Sequence, residues 1–203
     1  MHLDHVVIAA ERLEKGRAWV AERLGVAPDP GGKHPALGTH NCLLSLGPEI
    51  YLEVISIDPE GVRPAFARCF GLDTFSGPPR LVAWMARVGH LEQALQAAPD
   101  GAGQIHPLSR GDLRWLMAIP ESGSAPFDGI YPGLIEWQSN LLPPRRLPDR
   151  GLRLDRLTLT HPRAGALRAA LKGLDEPRVE VLSGSAPGIS AGLRLTDGTA
   201  ASL

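Results

Sequence analysis

The chain has 203 residues and a net charge of −1, with 21 basic and 22 acidic residues and 43% hydrophobic residues. That length buries a substantial core in one domain or two small ones. The balanced charge excludes the clustered basic surface of a nucleic-acid binder, and the ordinary apolar fraction excludes a disordered chain. No apolar run approaches the ~20 residues of a membrane span. Met1-His2-Leu3-Asp4-His5 lacks the basic-then-apolar order of a signal peptide. Cys42 and Cys69 form neither a disulfide framework nor a zinc spacing, so the expected location is the cytoplasm. The 23 glycines and 19 prolines, roughly a fifth of the chain, punctuate apolar runs and predict many short strands joined by turns.

In chain order, Leu3 to Ile8 is a β-branched strand, and Glu11 to Leu24 carries Leu13, Trp19, Val20 and Leu24 on one helical face before a stop at Gly25. A Gly- and Pro-rich loop is expected over Pro28 to Gly38, then strands over Asn41 to Leu46 and Tyr51 to Ile57, with Gly47-Pro48-Glu49 as the hairpin turn. A second unit begins with a strand at Leu81 to Ala86. A helix over His90 to Ala98 follows, then strands over Ile105 to Leu108, Leu113 to Ile119 and Leu134 to Gln138. A third begins at Leu154 to Leu159, continues with a helix from Arg163 to Leu174, and ends in strands at Val179 to Leu182 and Gly192 to Leu195 and beyond the turn at Asp197-Gly198. The expected organisation is α+β, with about three βαβββ modules at 1–57, 81–140 and 152–203, linkers at 58–80 and 141–151, and one compact unit. One such module cannot cover both faces of its sheet, so two should join into a cupped, curved mixed sheet with helices outside. The third then packs elsewhere or serves a partner chain, and a homodimer is expected.

Several side chains carry chemistry. His5 lies in the first strand, and Glu53 lies within Tyr51-Leu52-Glu53-Val54-Ile55, where a carboxylate must face water or find a partner. His34 and His40 flank Gly38-Thr39, and Asn41 follows; imidazoles titrating near neutrality serve as acid or base, and an amide holds a carbonyl. Catalytic roles are therefore expected for His40 and His34. Trp84, Trp115 and Trp137 are strand aromatics, of which one or two are expected to line the cup while the rest are buried.

Leu3-Asp4-His5-Val6-Val7-Ile8, Gly31-Gly32-Lys33-His34-Pro35-Ala36-Leu37-Gly38-Thr39-His40-Asn41 and Tyr51-Leu52-Glu53-Val54-Ile55 resemble the glyoxalase-like domain proteins of the vicinal oxygen chelate superfamily. Leu134-Ile135-Glu136-Trp137 and Leu157-Thr158-Leu159-Thr160-His161-Pro162 fit the same pattern. The resemblance implies a small-molecule site inside the cup; from the loop residues and strand aromatics, ligand contacts are expected from Asn41, Thr39 and Trp84. It also implies a divalent metal (Zn, Fe, Mn or Ni) held by His5, Glu53 and Glu136, with Ala83 standing where a fourth ligand would be. The expected activity is a metal-assisted lyase, isomerase or dioxygenase acting on a small oxygen-rich molecule. The alternative is a metal-free protein of the same fold that binds or sequesters its ligand. Neither nucleic acid nor membrane is an expected partner.

Overall fold

The first strand is buried along nearly its whole length, because it lies at the centre of a sheet covered on both faces. It is β1 (His2–Ala9) of a computed structural model that describes residues 1–140 and 142–203. The first unit continues with α1 (Leu13–Leu24), β2 (Asp29–His34), β3 (Thr39–Ser45) and β4 (Tyr51–Ile57). The second contains β5 (Arg80–Arg87), α2 (Leu91–Gln96), β6 (Gln104–Arg110), β7 (Leu113–Ile119) and β8 (Gly133–Trp137). Helix α1 stops at Gly25, whose left-handed φ of 68° lets its N–H close back on Ala21 O.

These eight strands form one mixed sheet in the order β2-β3-β4-β1-β5-β8-β7-β6. Within each unit the first strand runs parallel to the last, and the units join where β1 pairs antiparallel with β5. The sheet curls into a half-barrel, bringing its edge strands β2 and β6 into contact. Alternation along the strands separates two cores. Val6, Ile8, Leu52, Val54, Trp84 and Leu134 pack outward, while Val7, Ala9, Ile55, Ala83, Met85, Trp115, Met117 and Ile135 pack inside the cup.

Part of the stretch expected as a loop, Pro28 to Gly38, is a strand. β2 pairs with β3 despite Pro30 and two glycines because a register break between Pro30 and Lys33 absorbs them. The segment between β4 and β5, expected as a linker, covers the cup: Cys69, Phe70 and Leu72 from its short 3-10 turn pack on the inner core. Buried Arg68 fixes that turn through an ion pair with Asp73 at 2.6 Å and a bond to Leu37 O. The linker expected at 141–151 begins on Leu141, which lies outside the described residues.

The third unit comprises β9 (Arg153–His161), α3 (Ala164–Ala170), β10 (Val179–Ser183), β11 (Gly188–Arg194) and β12 (Ala200–Ser202). Its element order repeats the other two but its pairing does not. β9 sits between β10 and β11 in a separate sheet ordered β10-β9-β11-β12. Leu154, Leu157, Leu159, Leu167 and Leu193 carry this sheet and α3 onto the outer core. No helix among the described residues is long and apolar enough to cross a membrane.

Candidate functional site

Strand alternation alone would send adjacent Asp4 and His5 to opposite faces. A bulge prevents this: Leu3 pairs with Ala86 and His5 with Met85, leaving Asp4 as the extra residue. Both side chains are consequently buried together, Asp4 at 0% and His5 at 4% exposure. His5 Nδ1 lies 2.6 Å from Asp4 Oδ1, and Trp137 Nε1 donates to Asp4 Oδ2 at 2.9 Å. His5 stacks on Tyr51, and its Nε2 lies 3.5 Å from Glu53 Oε2. Glu53 accepts a 2.5 Å bond from Asn41 Nδ2, and Asn41 Oδ1 accepts from Gly32 N–H and Arg110 Nη1. That pattern fixes the Asn41 amide, with its nitrogen toward the carboxylate and its oxygen toward the cation.

Charge states follow from these partners. Burial pushes the His5 imidazole down, but the hydrogen bonds and charges of Asp4 and Glu53 outweigh it and raise it to about 9. Burial pushes the Glu53 carboxyl up, yet His5, the charge of His34 and the Asn41 amide bring it to about 2. For His34, burial dominates and lowers it to about 4, opposed by Glu53 and assisted by Arg110. At neutral pH the site therefore holds the His5 imidazolium, the Glu53 carboxylate and a neutral His34. The latter accepts at Nε2 from Arg110 Nη1 at 3.3 Å and donates from Nδ1 to Thr39 Oγ1 at 3.0 Å.

These groups form the polar end of a pocket open to solvent and walled by Leu37, Phe70, Met85, Trp115, Met117, Ile135 and Trp137. The structure brings His5, Glu53, His34 and Asn41 together here, with Thr39 behind His34. Three expected residues are elsewhere. His40, one position out of phase with Thr39 and Asn41, lines a shallow depression beside α1. Trp84 lies in the outer core and donates from Nε1 to Ile130 O. Glu136 accepts from Leu91 N–H at the start of α2 and from Gln138. Its neighbours Ile135 and Trp137 are the ones that face the pocket.

The donor set does not fit a resident divalent metal. Only one His5 nitrogen is turned from Asp4, and that nitrogen faces Glu53 across an ion pair. The second unit presents Met85, Met117 and Ile135 to the pocket, and Arg110 adds a cation beside His34 and Asn41. No group of three metal-binding side chains forms among the described residues.

Asp4, Tyr51 and Arg110 were not singled out from sequence. Period-two alternation from His106 and Leu108 points Arg110 into the cup, but the expected strand ended at Leu108 and β6 runs on to Arg110. The glycine pair also acquires a role. A Cβ on Gly31 would clash with Asn41 Oδ1 and lie 2.8 Å from Asn41 O, and one on Gly32 would lie 2.8 Å from Arg110 Cδ. Gly31→Ala is expected to cost about 1–3 kcal/mol through this clash, read as a lower urea midpoint. A loss below a few tenths would show that Asn41 yields without cost.

Two βαβββ units, joined through their first strands around one inner pocket, define the paired-module glyoxalase-like fold. The glyoxalase-like domain model matches residues 3–174; the chain belongs to that family and thereby to the vicinal oxygen chelate superfamily. No curated protein matches the sequence. A hypothetical protein from Staphylococcus aureus has the same fold at 12% identity and a TM-score of 0.66, over 92% of this chain and 87% of its own. Weaker likeness extends to the methylmalonyl-CoA epimerase of Mycobacterium tuberculosis, at 20% identity and TM-score 0.43, over 66% of this chain and 85% of that one. A Streptomyces coelicolor methylmalonyl-CoA epimerase bound to 2-nitronate-propionyl-CoA gives 11% and 0.44, over 68% and 97%.

Proposed function

We propose that the chain is an isomerase- or lyase-type enzyme that moves a proton on a small carbonyl compound, using side chains rather than a metal. One observation carries this reading. A proton donor, His5 Nε2, and an acceptor, Glu53 Oε2, stand 3.5 Å apart at the polar end of an otherwise apolar pocket. Glu53 takes the proton from a carbon next to the carbonyl while His5 Nε2–H protonates the carbonyl oxygen, giving an enol. Where the deprotonated carbon bears a hydroxyl, that hydroxyl loses its proton as the former carbonyl carbon gains one, so the carbonyl migrates and the ligand is isomerised. Where the next carbon bears a leaving group, the enol O–H returns its proton to His5 as the group departs, which makes the reaction a lyase step. Free Glu53 is a weak base because His5 pairs with it. A ligand entering between them and excluding water removes that pairing and raises its basicity. Asp4 holds the imidazole in place from the far side.

The test is deuterium wash-in. Neutral and anionic small carbonyl compounds are incubated with the protein in D2O containing EDTA and followed by NMR. The expected result is exchange at the carbon next to the carbonyl, lowered by at least about 100-fold in Glu53→Gln and unchanged in His40→Ala. Binding without exchange across the panel would overturn the proposal in favour of a sequestering protein. Exchange abolished by EDTA and restored by zinc, iron, manganese or nickel would overturn its metal-free form.

A further inference from the structure

The polar end of the pocket contains a cation, Arg110, that no carboxylate among the described residues pairs with. Asp4, His5 and Glu53 answer one another, and Arg87 Nη1 stands 3.7 Å behind Asp4. Arg110 has no ion pair among the described residues. Its bonds run from Nη1 to two neutral acceptors, Asn41 Oδ1 at 2.8 Å and His34 Nε2 at 3.3 Å. Its Nε and Nη2 have no protein acceptor among those residues, although the side chain lines the pocket. Arg68 and Arg146 are bound by carboxylates, Asp73 and Asp112, and Arg17, Arg114 and Arg168 bond backbone carbonyls; Arg110 instead lines the pocket.

Its placement is also unusual. Arg110 ends edge strand β6 and reaches across the seam of the curled sheet to β2 and β3 of the first unit. Gly32 leaves room for its stem, since a Cβ there would meet Arg110 Cδ. The crossing therefore fixes a guanidinium at the rim of a largely apolar cavity, with its remaining donors uncommitted. A half-desolvated guanidinium surrounded by neutral acceptors gains most from a planar anion that takes two parallel N–H bonds.

We infer that the pocket selects carboxylate-bearing ligands through Arg110, and that the substrate class of the proposed proton transfer is a small 2-oxo acid with an apolar or aromatic substituent. This rests on the preceding reading for the reacting carbon but not for the binding. Asn41 links the two functions directly, its oxygen on Arg110 and its nitrogen on Glu53. A carboxylate at Arg110 thus stands one amide away from the base, the spacing of a short acid whose reacting carbon adjoins its carbonyl. The substituent then meets the inclined Trp115–Trp137 pair, whose rings are 5.5 Å apart, together with Met117 and Ile135.

The experiment compares matched neutral and anionic probes. Alkyl and aryl 2-oxo acids, each paired with its methyl ester, are titrated calorimetrically into the full chain, Arg110→Gln and Arg110→Lys. Gln retains a donor for Asn41, and circular dichroism melts verify folding. In the unaltered protein the acid is expected to bind at least tenfold more tightly than its ester. Arg110→Gln brings that ratio close to one, and Arg110→Lys leaves an intermediate value. Equal affinity for acid and ester, an unchanged ratio in a folded Arg110→Gln, or no binding by any acid would each overturn the inference. The two readings fail differently. Arg110-dependent binding without deuterium exchange sinks the proton transfer alone, whereas equal exchange on acids and esters sinks the carboxylate selection alone.

Discussion

Replacing Asp4 by alanine is expected to lower stability at pH 7 by about 3–5 kcal/mol, the usual cost of removing one partner from a buried ion pair. Asp4 is fully buried and holds His5 Nδ1 at 2.6 Å, Trp137 Nε1–H at 2.9 Å and Arg87 Nη1 at 3.7 Å. The substitution leaves the imidazolium with Glu53 alone, 3.5 Å away, and strands the indole N–H. His5 can shed its proton, which limits the loss but does not abolish it. Asp4→Asn keeps the shape and an acceptor for Trp137, so its cost should be smaller. A second substitution distinguishes charge from packing: if the stranded imidazolium is the cause, Asp4→Ala combined with His5→Leu is less destabilised than the sum of the single variants. Urea midpoints of the unaltered protein, Asp4→Ala, Asp4→Asn, His5→Leu and the double variant supply all the differences. A loss under about 1 kcal/mol in Asp4→Ala would mean that Asp4 contributes little beyond filling space.

That prediction rests on a feature the sequence conceals. Leu3-Asp4-His5-Val6 reads as an alternating strand, and alternation separates Asp4 from His5; only the bulge against β5 puts them on one face. The elements themselves were more legible, because amphipathic periods and turn residues are local properties. Leu113 to Ile119 and Tyr51 to Ile57 have the expected bounds, and Asp197-Gly198 makes the expected turn before β12. Helices α2 and α3 end earlier than their apolar stripes suggest, at Gln96 and Ala170. β2 was hidden by its composition, since Pro30, Gly31 and Gly32 advertise a loop that register with β3 overrides. The third unit shows the limit most clearly: its element order echoes the first two, while strand pairing, which depends on distant partners, differs.

The same division holds within the pocket. Glu53 was legible because a carboxylate inside an apolar strand requires a partner, and Asn41 and His34 because they cluster in the chain. His40 shares that cluster but falls out of phase, on the face toward α1. Glu136 matches Glu53 in local sequence, yet its phase turns it to the start of α2 and gives its neighbours to the cup. Arg110 depends on closure of the half-barrel, which joins residues 69 positions apart. Such a contact leaves no local trace.

Stability should peak near pH 6.5 and fall on both sides, with different residues responsible for each limb. His5 rises from 6.5 in the unfolded chain to about 9 when folded, so its contribution is complete below pH 6.5 and is lost as pH climbs through 9. A shift of that size corresponds to about 3 kcal/mol. His34 moves the opposite way, from 6.5 to about 4; unfolding takes up its proton first, so stability declines as pH falls from 6.5 through 4. Glu53, lowered from 4.5 to about 2, adds a further loss as pH falls from 4.5 through 2. Urea midpoints between pH 3 and pH 9.5 should trace this asymmetric dome. His5→Gln removes the shifted imidazole, so the decline between pH 6.5 and pH 9 should largely vanish, whatever the variant's absolute stability. His34→Gln should flatten the decline between pH 6.5 and pH 4 while leaving the alkaline limb intact. An alkaline limb of unchanged slope in His5→Gln would contradict a buried imidazolium held between Asp4 and Glu53, and with it the proton donor on which the proposed chemistry depends.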